Sequence, residues 1–84
     1  MPNFNKMQTL LELPAGEVAE VVRIAGGWGI QRNLAALGII PGRKIKKVIV
    51  QPMGGPVIVE IVGGATVAIG RGMAMKILVR REES

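Results

Sequence analysis

The chain has 84 residues, 49 % hydrophobic and 20 % charged, so it supports one small core and is too apolar to be disordered throughout. It contains no cysteine and no histidine, which excludes disulfides, thiolate metal sites, and imidazole ligands or bases. Its net charge of +5, from 11 basic and 6 acidic residues, admits nucleic acid, acidic protein surfaces and anionic lipid as partners without choosing among them.

Ten valines and ten isoleucines stand against six leucines. Branching at Cβ stiffens the side chain and suits a pleated surface, so the excess predicts strands. Residues 1–8 are read as a flexible N-terminal end. They lack the apolar run of a secretory signal, and nothing in the chain approaches the ~18 apolar residues that span a bilayer. A soluble, cytoplasmic protein is expected. The segment Leu10 to Gly16 is a short apolar opening closed by Pro14 and Gly16. A first strand over Glu17 to Ala25 follows, its mixed pattern pointing either to a bulge or to two partly covered faces. Gly26-Gly27-Trp28-Gly29 ends it.

The next segment, Trp28 to Ala36, is predicted helical, with Ile30, Leu34 and Leu37 on its inner face at i, i+4, i+7. Its stop is well written. Gly38 fits the left-handed position after a helix, Ile39 would fold back onto Leu34 as in a Schellman ending, and Pro41 prevents continuation. A second strand is expected over Arg43 to Gln51, then a loop on Pro52, Gly54, Gly55 and Pro56. A third strand covers Val57 to Val62, with Val57, Val59 and Ile61 on one face. Gly63-Gly64 reads as a two-residue hairpin turn. The fourth strand runs from Ala65 to Ile69, with Val67 and Ile69 inward. Gly70 to Ala74 forms a tight turn, and Lys76 to Arg80 is the fifth strand, with Ile77 and Val79 inward. Residues 81–84 are read as a flexible C-terminal end, leaving one domain over 9–80. The pattern is mainly all-β: five short strands, one short helix after the first and a one-turn helix before the last, the order of an SH3-like barrel.

Several stretches resemble one family. They are Leu10-x-x-Leu13-x-x-Gly16, Arg32-x-Leu34-x-x-Leu37-Gly38-Ile39-x-Pro41-Gly42, Gly54-Gly55-Pro56-Val57-x-Val59, Val67-Ala68-Ile69-Gly70 and Ala74-x-x-Ile77-x-Val79. In this order and at these distances they resemble the FeoA family of ferrous iron transport proteins. The resemblance implies an SH3-like fold and association with a membrane-bound ferrous iron transporter carrying a cytoplasmic GTP-binding domain. The same barrel ends certain metal-dependent repressors, behind a helix-turn-helix domain for which 84 residues leave no room. The shared residues are mostly glycine and core positions, so they imply a fold more than a site.

Little chemistry is available. Aspartate and tyrosine are absent, and no histidine can activate Thr9 or Thr66. Glu20 and Glu60, the acids within strands, read as solvated positions rather than a catalytic pair. No catalytic residue is assigned, and the chain is read as a non-enzyme. For ferrous iron it offers glutamates and the thioethers of Met53, Met73 and Met75. Thioethers bind this ion weakly and methionine is commonly a gap filler, so no intrinsic high-affinity iron site and no cofactor are expected. Gly26-Gly27-Trp28-Gly29 lacks the spacing of a dinucleotide loop, and no Gly-Lys-Ser/Thr occurs.

The candidate partner-binding residues are Trp28, Arg32, Leu34, Arg43, Lys44, Lys46 and Lys47. Trp28 and Arg32 lie one turn apart, away from the inner face, and suit either an interface or a lid on the barrel. Leu34 is core by pattern, or the margin of a cleft. The cluster Arg43, Lys44, Lys46 and Lys47, with Lys76, Arg80 and Arg81, is either a solvated edge, a nucleic-acid surface or a face toward an acidic patch or the anionic inner leaflet. With aromatics at 2 %, base stacking is poorly supplied. The function expected is an interaction module that modulates the transporter, peripheral at the inner face of the membrane. The alternatives are a basic barrel binding nucleic acid, or a metal-responsive regulatory accessory domain. Weak homo-oligomerisation is compatible with each.

Overall fold

The computed structural model describes residues 7–50 and 53–82. The expected loose end over residues 1–6, with Phe4, lies outside them, as do Gln51, Pro52 and residues 83–84. Six strands and two helices follow in the order β1 Met7–Thr9, β2 Val18–Ile24, α1 Trp28–Ala36, β3 Lys44–Val50, β4 Val57–Ile61, β5 Thr66–Ile69, α2 Arg71–Ala74 and β6 Ile77–Arg81. All pairings are antiparallel, in the order β1-β6-β2-β3-β4-β5. Ile69 of β5 and Val79 of β6 have three strands between them in that order, yet share one buried cluster. The sheet therefore curls on itself, as a small barrel requires.

The mainly-β architecture is the one expected, with a strand added. Met7 and Gln8, assigned to the flexible end, pair with Arg80 and Val79. Alternation supplies the core. Val57, Val59 and Ile61 on β4, and Ile77 and Val79 on β6, are buried. The mixed pattern of β2 is a bulge, its register shifting between Val21 and Arg23. A second shift occurs in β3 between Lys47 and Ile49. Each adds a residue and changes which side chains face in.

The turn between β4 and β5 differs from the predicted two-residue hairpin. The Gly64 N–H donates to the Ile61 carbonyl and Gly63 alone holds a positive φ, of 81°, the third-position value of a type II turn. α1 has the predicted bounds and stop. Gly38 has φ 93°, the Ile39 N–H donates to the Leu34 carbonyl at 2.9 Å, and the Gly38 N–H to the Ala35 carbonyl at 2.9 Å. Those two bonds define a Schellman motif. Leu34 is fully buried and Ile30 packs partly against the core. Leu37, predicted inward, is 40 % exposed, because the motif turns the chain away before that side chain reaches the core. Among the described residues no helix is long and apolar enough to cross a membrane.

Candidate functional site

The polar groups divide into those engaged inside the barrel, those paired on the sheet and those left around α1. Thr9 to Leu13 forms a single helical turn, with the Glu12 and Leu13 N–H groups donating to the Thr9 carbonyl. The Thr9 N–H donates to Glu12 Oε1 at 2.9 Å and the Glu12 N–H to Thr9 Oγ1 at 3.3 Å. This is the reciprocal capping box of a Thr-x-x-Glu sequence. That signal stands in the sequence as Thr9-x-x-Glu12.

The far end of the turn leaves carbonyls needing donors. Lys47 supplies them: its Nζ donates to the Leu10 carbonyl at 3.1 Å and the Leu11 carbonyl at 2.8 Å. The residue is only 2 % exposed. Burial, and then the positive charge of Arg71, push its ammonium below the usual lysine value. The predicted basic edge therefore loses Lys47. On β3 the side chains of Ile45 and Lys47 face inward, while Lys44 and Lys46 face solvent.

The outer face of the sheet carries opposite charges in rows. Glu20 pairs across to both Lys44 and Arg80, and Lys46 to both Val18 and Glu60. Side chains opposite one another in an antiparallel pair share a face. The ion pairs are Lys44–Glu82 at 2.8 Å, Arg81–Glu17 at 3.1 Å and Arg80–Glu20 at 3.8 Å. The hydrogen bond that Lys44 Nζ donates to Glu82 raises the Lys44 pKa, and the carboxylate's charge adds to the effect. This face is a ladder of mixed charge rather than a basic patch. Arg43 and Lys46 remain exposed.

On α1 the structure separates the proposed residues. Trp28 is 74 % exposed and Arg32 is exposed one turn later. Leu34 lies on the opposite, buried side with no exposed surface, so it cannot line an open cleft. Lys76 approaches the start of α1, its Cδ 3.4 Å from the point where a Cβ on Gly26 would stand. Arg43 lies at the far end, its N–H donating to the Ile40 carbonyl. For a metal ion, no group of three or more carboxylates that could hold one forms among the described residues. Met73 packs against the core, while Met53 and Met75 are exposed.

A curled six-stranded antiparallel sheet with two short helices defines a small SH3-like barrel. The FeoA domain family matches residues 8–81, and the chain belongs to it. A Methanocaldococcus jannaschii protein named "Putative Fe(2+) transport protein A" is 41 % identical over 68 residues, 81 % of this chain and 79 % of that protein. A crystal structure described as an iron uptake regulatory protein (FeoA) superposes with a TM-score of 0.81 at 34 % identity, over 92 % of this chain and 99 % of that one. A manganese-dependent transcriptional repressor in complex with manganese superposes with a TM-score of 0.85 at 25 % identity. It covers 98 % of this chain, which spans 38 % of the repressor.

Proposed function

We propose that the chain is a non-catalytic cytoplasmic module that associates with a membrane ferrous iron transporter carrying a GTP-binding domain, and modulates it. The observation that carries this reading is the family match over residues 8–81, together with 41 % identity to a relative named for Fe(2+) transport. The physical reading agrees with it. The buried polar groups serve the barrel, and the exposed chemistry is a contact face on α1. The mechanism is a population shift: the barrel biases the transporter only by the difference between its affinities for two conformations. Co-purification with the intact transporter from solubilised membranes tests it, together with Fe²⁺ uptake in cells lacking the chain. Unchanged uptake and no association would remove the reading.

A second reading is favoured by the superposition on the manganese-dependent repressor. In that reading the barrel is a metal-responsive accessory domain that recruits or dimerises a regulator. Light scattering with and without Mn²⁺ or Fe²⁺ separates the two, since only the second requires a metal-dependent change in mass. The nucleic-acid reading is weakened by the burial of Lys47 and the pairing of Lys44.

A further inference from the structure

The acidic residues are unevenly placed. All six lie within 12–20, at 60 or at 82–83, and the stretch from Val21 to Val59 contains none. That stretch carries Arg23, Arg32, Arg43, Lys44, Lys46 and Lys47. Lys47 is buried against carbonyls and Lys44 is held by Glu82. Of the described acids, Glu12 serves the capping box, while Glu17, Glu20 and Glu82 hold ion pairs. Glu60 lies across from Lys46. Arg32 on α1, Lys76 beside its start and Arg43 beyond its end hold no ion pair among the described residues. Trp28 is exposed one turn before Arg32, with Gly29, Ala35 and Ala36 exposed on the same helix.

We propose that the outer face of α1 docks an acidic segment of a protein partner, with Trp28 as its apolar contact and Arg32 and Lys76 receiving carboxylates. The proposal rests on the reading that the chain acts by docking on a larger protein. Charge complementarity selects the occupant: the face is cationic, and Glu12, Glu17, Glu20 and Glu82 are engaged elsewhere. A membrane surface fits less well, because an interfacial helix needs a broad apolar face and within Trp28–Ala36 the one exposed large apolar side chain is Trp28. A nucleic acid fits less well, because Trp28 has no second aromatic platform beside it.

Trp28 is the sole tryptophan and tyrosine is absent, so tryptophan emission reports on this face directly. The full chain is titrated with a synthetic peptide of alternating glutamate and leucine, with its glutamine counterpart, with phosphatidylcholine–phosphatidylglycerol vesicles and with oligothymidine. The expected result is a saturable change in emission with the glutamate peptide alone, weakened about tenfold or more by Arg32→Glu with Lys76→Glu and by raised salt. Circular dichroism checks that the variant remains folded. No response to the glutamate peptide, an equal response to the glutamine peptide, or a stronger response to vesicles or oligothymidine overturns the proposal. The double variant is also carried through the transporter co-purification. Association by the wild type that survives charge reversal overturns the α1 assignment and leaves the transporter reading standing. Failure of the wild type to associate removes the transporter reading, and the peptide titration then decides the docking chemistry by itself.

Discussion

A buried ammonium is costly unless its protons find acceptors. Lys47 is held by the carbonyls of Leu10 and Leu11, which ties the turn after β1 to the inside of β3. Lys47→Met keeps the aliphatic volume and leaves the Leu11 carbonyl without that donor. It is expected to destabilise the fold by about 1–3 kcal/mol in urea unfolding. The pH dependence carries a definite sign. The folded pKa of Lys47 lies below the unfolded value, so the unfolded chain binds more protons between the two. The Lys47 contribution therefore rises with pH from its lowered folded pKa up to the ordinary lysine value of about 10.4. Lys44 runs the other way. Its folded pKa is raised by Glu82, so its contribution is complete below the ordinary value and is lost as pH climbs through the raised one. Unfolding of the wild type and of Lys47→Met, compared across pH 8–10 as a roughly chosen window below that value, should show a stability difference that grows with pH in the wild type's favour.

At the scale of elements, the end of α1 depends on one residue. Gly38 is left-handed, and a Cβ there would stand 3.1 Å from Ile61 Cδ1. Gly38→Ala is expected to cost about 1–2 kcal/mol from the backbone alone, seen as a lower thermal midpoint. Glu12→Ala opens the capping box and leaves the Thr9 N–H without its carboxylate acceptor, with an expected loss of about 0.5–1.5 kcal/mol. Both stops stand plainly in the residues, Leu-Gly-Ile-x-Pro for α1 and Thr-x-x-Glu for the first turn, because each is made within a few residues of chain. β1 carries no comparable mark. Met7 to Thr9 is three residues long and becomes a strand only because β6 offers it an edge. The bulges at Val22 and Val48 are equally hidden, since an extra residue is defined by the partner strand it outruns.

For the whole molecule, the question is which surface meets a partner. Trp28 lies outside the core, so Trp28→Ala is expected to change stability by less than about 0.5 kcal/mol while weakening association with the transporter in co-purification. Loss of both together would mean that the indole acts as a lid on the barrel. Of the seven residues proposed from the sequence, Trp28, Arg32, Arg43 and Lys46 remain exposed and without an ion pair among the described residues. Lys44 is exposed but engaged by Glu82, whereas Leu34 and Lys47 are interior.

What the sequence determined by itself is what neighbouring residues decide among themselves. Alternation placed the inward faces of β4 and β6, glycine and proline placed the stops, and the absence of imidazole and thiol removed most routes to catalysis or metal binding. The tertiary structure decided burial and charge pairing. Lys46 and Lys47 are adjacent lysines that strand alternation sends to opposite faces, and the inward one is accommodated because the N-terminal turn brings two carbonyls to it. The acids that hold Lys44, Arg80 and Arg81 lie from 38 to 64 residues distant in the chain (Lys44 to Glu82, Glu20 to Arg80, Glu17 to Arg81), a pairing that exists only once the sheet has curled.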